Sequence, residues 1–105
     1  MSGPGWLPAG PAEAIAPRKC TRVAGADCQI AVFRAEDGHL YAIEDRCPHR
    51  GARLSNGAVF DNDRVACPDH GWTIRLTDGG VEPPDQGQVR TFEVKVEDGV
   101  VYVRA

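Results

Sequence analysis

The sequence predicts an all-β domain built from stacked antiparallel sheets. Three observations carry that expectation. Short runs of β-branched and aromatic residues recur along the 105 residues, and little repeats at a helical period. Turn signals separate these runs: Glu36-Asp37-Gly38, Asp61-Asn62-Asp63 and Asp98-Gly99. Near the C-terminus, Phe92, Val94 and Val96 alternate with polar residues ahead of the Asp98-Gly99 turn, the pattern of a half-buried hairpin.

Each element follows in order. The Pro-rich start (Pro4, Pro8, Pro11, Pro17) reads as an irregular lead-in, with Trp6-Leu7 as a short first strand. Residues 18–23 and 28–34 are the next two runs, joined by a turn at Ala24-Gly25-Ala26-Asp27. Residues 39–43 follow the Asp37-Gly38 turn. Ala58-Val59-Phe60 and Arg64-Val65-Ala66 make a second hairpin. Residues 73–76 add a strand, and Thr77-Asp78-Gly79-Gly80 turns the chain back. Residues 91–97 and 100–103 form the closing pair. A chain of this length is one domain, residues 1–105, with residues 44–81 or so as a smaller inserted subdomain.

Composition narrows the function. Net charge is −3, and Arg18, Lys19 and Arg22 read as a solvated strand face, so nucleic-acid binding is not expected. No apolar run reaches transmembrane length, and Met1-Ser2-Gly3-Pro4-Gly5 lacks the apolar stretch of a signal peptide. A soluble cytoplasmic chain without a membrane partner is expected. There is no dinucleotide fingerprint, phosphate-binding loop or nucleophile elbow, so the chain is not a complete enzyme by itself.

The chemistry concentrates in Cys47-Pro48-His49 and Cys67-Pro68-Asp69-His70. Each segment offers one thiolate and one imidazole, and each is followed by a glycine, Gly51 or Gly71. Two Cys and two His of this kind suit a [2Fe–2S] cluster with both Cys on one iron and both His on the other, the Rieske ligand set. Four thiolates give an oxidised cluster a formal charge of about −2, and two neutral imidazoles bring it to about 0. An electron enters a neutral cluster more readily, hence potentials of roughly −150 to +300 mV against about −400 mV for all-cysteine ferredoxins. Zinc is the competing metal, but structural zinc sites group Cys with Cys and His with His. A non-redox binding module stabilised by zinc, or by no metal, is the alternative of another class.

The segments Cys47-Pro48-His49-Arg50-Gly51-Ala52-Arg53-Leu54-Ser55 and Cys67-Pro68-Asp69-His70-Gly71-Trp72 resemble Rieske proteins. The resemblance implies a Rieske-like fold and one [2Fe–2S] cluster per chain. It implies that Cys47 and Cys67 bind the buried iron, and that His49 and His70 bind the outer iron with an imidazole edge near solvent. High-potential members carry an extra disulfide and two hydroxyls near the cluster; the matching positions here are Ala52, Asp69, Trp72 and Ile74. Their absence implies a potential near the low end of the range. With Ile74, Leu76 and the run Val89-Arg90-Thr91-Phe92 to Gly99, nearly the whole chain resembles the small subunit of NAD(P)H-dependent nitrite reductase. That implies a large subunit carrying flavin, an iron–sulfur cluster and siroheme as partner. The alternative is a stand-alone Rieske ferredoxin between a flavin reductase and a ring-hydroxylating oxygenase.

Four other features are weighed separately. Cys20 and Cys28 flank the first turn; a cross-hairpin disulfide is conceivable, but two reduced buried thiols are expected. Trp72 is expected to pack in the core. Val81-Glu82-Pro83-Pro84-Asp85 is either a hydrophobic cover for the cluster or a rigid linker. His39, beside a turn, is expected at the surface without a redox role.

Overall fold

The computed structural model describes residues 5–48, 51–69 and 71–104. Strands β1 (Trp6–Pro11), β2 (Cys20–Ala24), β3 (Gln29–Arg34) and β4 (Leu40–Glu44) come first. Strands β5 (Ala58–Phe60), β6 (Arg64–Ala66) and β7 (Thr73–Arg75) follow, then β8 (Thr91–Glu97) and β9 (Val100–Arg104). Two single 3₁₀ turns, Ala12–Ala14 and Leu54–Asn56, are the only helical pieces among the described residues. Every ladder is antiparallel. A six-stranded sheet runs β1-β9-β8-β4-β3-β2, and a three-stranded sheet runs β5-β6-β7. The all-β expectation holds.

Strand β3 explains how the layers stack. Its residues Ile30 to Phe33 are all buried, so both faces are covered. Ile30 and Val32 join Ala42, Val101, Val103 and Ile15 in one core. The edge strands β1 and β2 approach each other, so the large sheet curls around that core. Ala31 and Phe33 point the other way, with Ile43, onto Val59, Val65 and Ile74 of the small sheet. Burying a side chain the size of Phe33 stabilises the fold by roughly 1.5–3 kcal/mol. The small sheet is therefore held flat against β3 and β4, and its two loops open at one end of this second core.

Turn chemistry sets the register. Asp98 and Gly99 both have positive φ (52° and 76°), the two-residue turn whose twist matches a hairpin. The tips of the two sheets are tied together: Asp37 N donates to Asn62 Oδ1 (2.8 Å) and Asn62 Nδ2 donates to Asp37 Oδ2 (3.1 Å). Arg34 donates from Nε to the Ile15 carbonyl (2.5 Å), from Nη2 to Ala12 (2.8 Å) and from Nη1 to Gly38 (2.8 Å), which satisfies three carbonyls outside any ladder.

Two expectations change and one holds. The Pro-rich start is a regular strand: β1 pairs with β9 from Trp6↔Arg104 to Pro11↔Val100, with one register shift at Pro8/Gly10. Its prolines are tolerated because β1 is an edge strand, where missing N–H groups cost no ladder bond. Cys20 and Cys28 are the two reduced thiols expected: Cys20 opposes Phe33, and Cys28 lies in the turn beyond Ala24↔Gln29. Arg22 is no free surface cation, because its Nε lies 2.5 Å from Asp45 Oδ2.

Candidate metal centre

Residues 45–57 connect β4 to β5, and residues 67–72 connect β6 to β7. The two loops close in the same way. Cys47 N donates to the Ala52 carbonyl (2.8 Å) and Gly51 N donates back to the Cys47 carbonyl (2.8 Å). Cys67 N donates to the Trp72 carbonyl (2.7 Å) and Gly71 N donates back to the Cys67 carbonyl (3.0 Å). Gly51 and Gly71 have φ of 74° and 72°, a left-handed conformation that costs other residues roughly 1–2 kcal/mol. The equivalence is legible in the sequence: the glycine stands at the same distance from the cysteine in both motifs, although the histidine shifts by one position.

The loops bring both cysteines into one buried cluster. Cys47 is fully buried and Cys67 nearly so, beside Leu54, Val81 and the partly buried Ala52 and Trp72. Trp72 thus packs on the core, as expected. Ile74 is fully buried on β7 opposite Val65, so that position can offer no hydroxyl to a sulfur. His49 and His70, the two predicted imidazole ligands, lie outside the described residues, as does Arg50. The donor chemistry that is described fits a cluster of mixed ligation: two thiols in a dry pocket, from equivalent loops whose sequences each carry a histidine.

Sequence reading missed the residue that fastens the first loop. Asp45 is buried, and its Oδ1 accepts from Ser55 N (2.7 Å). Its Oδ2 accepts from Ser55 Oγ (2.8 Å) and Arg22 Nε (2.5 Å). One carboxylate therefore ties β2, the start of the loop and the Leu54–Asn56 turn together. Nothing in the sequence separates Asp45 from an ordinary surface acid next to a cysteine.

The segment after β7 is fastened too. Glu82 accepts from Arg64 Nε (2.9 Å) and Arg75 Nη1 (3.2 Å), and its N–H donates to the Thr73 carbonyl (2.8 Å). The Pro83–Pro84 bond is cis, and Gly87 lies against Pro48: a Cβ at Gly87 would stand 2.9 Å from Pro48 Cγ. Gly87 thus meets the first cysteine loop, while Pro83 and Pro84 are exposed.

Asp78 closes the turn that leads into it, accepting from Gly80 N (2.8 Å) and Arg75 Nε (3.0 Å). The Gly80 N–H, and then Arg75, hold its carboxyl below the usual carboxylate range. A depressed folded-state pKa stabilises the fold at pH above the unfolded value of about 3.9 and ceases to do so as pH falls through the folded value. Asp78→Asn is therefore expected to be less stable than wild type at pH 7, with the two urea midpoints drawing together as pH falls below about 3.9. A constant gap across that range would contradict this role.

The remaining sulfurs are structural. Burial raises the Cys20 thiol pKa, with the Asp45 charge adding to it, and burial likewise raises that of Cys28. Raised thiol pKa values lower thiolate reactivity, in keeping with reduced packing residues. Cys20 Sγ donates to the Ser55 carbonyl at 3.4 Å. His39 is a surface residue paired with Asp37 (Nδ1 to Oδ1, 3.0 Å). Among the described residues, no helix is long and apolar enough to cross a membrane.

Comparison with known proteins agrees with this geometry. Residues 5–93 match the family model of the Rieske [2Fe–2S] domain. A chain of the complex of reduced oxygenase and oxidised ferredoxin in carbazole 1,9a-dioxygenase is 35% identical, with a TM-score of 0.86 over 97% of this chain and 94% of that one. A structure described as that of an NADH-dependent nitrite reductase small subunit from Mycobacterium tuberculosis is 28% identical, with a TM-score of 0.84 over 93% and 92% of the two chains. The 3-phenylpropionate/cinnamic acid dioxygenase ferredoxin subunit of Photorhabdus laumondii is 37% identical over 75 residues, 70% of each protein. The chain spans only 16–23% of the length of several larger curated relatives that it matches. With two equivalent loops that each bury a cysteine, and a family match over most of its length, the chain belongs to the Rieske [2Fe–2S] family and is an electron-transfer domain carrying a [2Fe–2S] cluster.

Proposed function

We propose that the chain is a ferredoxin-type carrier that passes single electrons to the terminal component of a multi-protein oxidoreductase. Cys47, His49, Cys67 and His70 hold its cluster, within one domain whose residues 44–81 form the cluster-binding part. When bound, the cluster takes up and releases one electron. The protein's own contribution is placement. Asp45 and Ser55 fix the first loop, Gly51 and Gly71 shape the two loops alike, and the apolar cluster around Cys47 and Cys67 keeps water from the sulfurs. The absence of a hydroxyl at Ile74 supports a potential low in the Rieske range.

The observation that carries this reading is the pair of equivalent loops with their buried cysteines. The 35% identity to a chain of an oxygenase–ferredoxin complex, nearly end to end, supports a ring-hydroxylating oxygenase as the terminal component and a flavin reductase as the donor. The likeness to a nitrite reductase small subunit supports a second reading, with a siroheme large subunit as partner. Reconstitution separates the two. With NADH, a flavin reductase and an aromatic-ring oxygenase, adding the chain is expected to raise product formation in proportion to its concentration. Nitrite-dependent NADH oxidation by a siroheme large subunit is expected to stay unchanged. The reverse pattern would assign the chain to nitrite reduction.

A further inference from the structure

We propose that the face beside the first cysteine loop is a positively charged docking cleft, centred on Arg46 and Arg53, for an acidic surface of the redox partner. The inference rests on the electron-transfer role of the chain, and not on which terminal oxidoreductase it serves.

A polar cleft of about 540 Å³ lies here, with Glu44, Asp45, Arg46, Gly51 and Arg53 in its walls. Three carboxylates line it, Asp27, Glu44 and Asp45, and two arginines, Arg22 and Arg90, are paired with them. Asp45 is held by Arg22 at 2.5 Å. Arg90 takes Asp27 at the rim at 3.1 Å and reaches Glu44 at 3.8 Å. Arg46 and Arg53 are exposed, and neither makes an ion pair with a described residue. Among the described residues four arginines face three carboxylates, and the net charge of about +1 falls to the side of Arg46 and Arg53.

One of these cations is held at the ligand loop itself. Arg46 Nε lies 3.2 Å from the point where a Cβ on Gly51 would stand, so the guanidinium is folded over the loop backbone. The glycine that the loop conformation requires also leaves room for this charge. Arg53 flanks the same loop on its far side, next to Leu54 of the Leu54–Asn56 turn.

The chain as a whole is acidic, with a net charge of −3. That charge is spread over a body of 42 × 28 × 19 Å, while physiological salt screens exposed charges beyond about 8 Å. At contact range the local sign decides. A partner with an acidic patch is drawn to this edge beside the first cysteine loop, and a partner with a basic patch is turned away from it.

Small one-electron oxidants read this sign without any protein partner. The reduced holoprotein, freed of excess dithionite, is mixed by stopped flow with ferricyanide, a trianion, or hexaammineruthenium(III), a trication. Each accepts one electron from the cluster. For wild type, the ferricyanide rate is expected to fall as salt rises and the hexaammineruthenium rate to rise. Arg46→Glu/Arg53→Glu is expected to slow ferricyanide about tenfold at low salt and to reverse both salt dependences. Arg46→Lys/Arg53→Lys, which keeps the charge, is expected to behave as wild type. An unchanged EPR spectrum of the reduced variants confirms that the cluster is intact. Wild-type rates that follow the net charge of −3, or a double Glu variant with unaltered rates, would overturn the docking cleft alone. A holoprotein preparation with no cluster signal would overturn the electron-transfer reading and the cleft with it.

Discussion

Cys67→Ser is expected to abolish the colour and the EPR signal of the cluster, and Cys47→Ser to do the same, with iron content falling to background. Both cysteines are buried in an apolar pocket, so a serine there brings a harder oxygen donor in place of a thiolate. It also leaves a buried hydroxyl in need of a partner, at a cost of roughly 1–3 kcal/mol. Loss of the cluster removes its contribution to folding as well, so both variants melt at lower temperature. Cys20→Ser and Cys28→Ser are the controls. Those thiols lie on β2 and in the following turn, outside both loops, and full iron content is expected. Iron analysis and visible absorption of the four purified variants check the pattern. A Cys67→Ser protein with a normal cluster would contradict the ligand assignment.

Asp45→Ala gives the second large effect. It leaves the Ser55 N–H and Oγ without their acceptor and Arg22 without its counter-charge. Buried donors left unpaired cost about 1–3 kcal/mol each, and a broken buried ion pair about 3–5 kcal/mol. The Arg22 side chain is one-third exposed, so solvent screens part of its loss. A net destabilisation of roughly 2–4 kcal/mol is expected, a large share of the 5–15 kcal/mol typical of a domain. Urea unfolding of the holoprotein measures it as a lower midpoint at unchanged slope. The same variant is expected to lose iron to a chelator several-fold faster, because the first cysteine loop has lost its tether. An unchanged midpoint would show that Asp45 fastens nothing.

The sequence made the fold legible where local chemistry dictates it. Alternation at Phe92 and Val94, and the left-handed pair Asp98-Gly99, specify the β8–β9 hairpin without reference to the rest of the chain, while Val96, the third residue of that alternation, is exposed. Asp61 and Asn62, residue types that tolerate positive φ, do the same for β5 and β6. The strand Trp6–Pro11 was legible only in part, because its prolines are acceptable solely at a sheet edge. That position follows from pairing with β9 at the other end of the chain. Sheet curling and stacking likewise depend on contacts distant in sequence, such as the approach of β1 to β2 and the bonds between Asp37 and Asn62 that tie the two sheets.

The candidate site divides along the same line. Its cysteines stand in motifs whose residue types and spacing carry the chemistry. Its fastenings do not: Asp45 is one acid among fifteen until the fold sets it beside Ser55 and Arg22. Glu82 acquires its role only when β6 and β7 bring Arg64 and Arg75 to it. The strand-face reading of Arg22 fell short for the same reason, since its partner lies across β3 in the loop after β4.

The most direct measurement is an anaerobic EPR spectrum of the dithionite-reduced protein, with iron and zinc analysis of the same sample. Mixed cysteine and histidine ligation predicts a rhombic signal whose average g lies below that of all-cysteine [2Fe–2S] clusters, with two irons per chain and no zinc. EPR silence with one bound zinc per chain would contradict it.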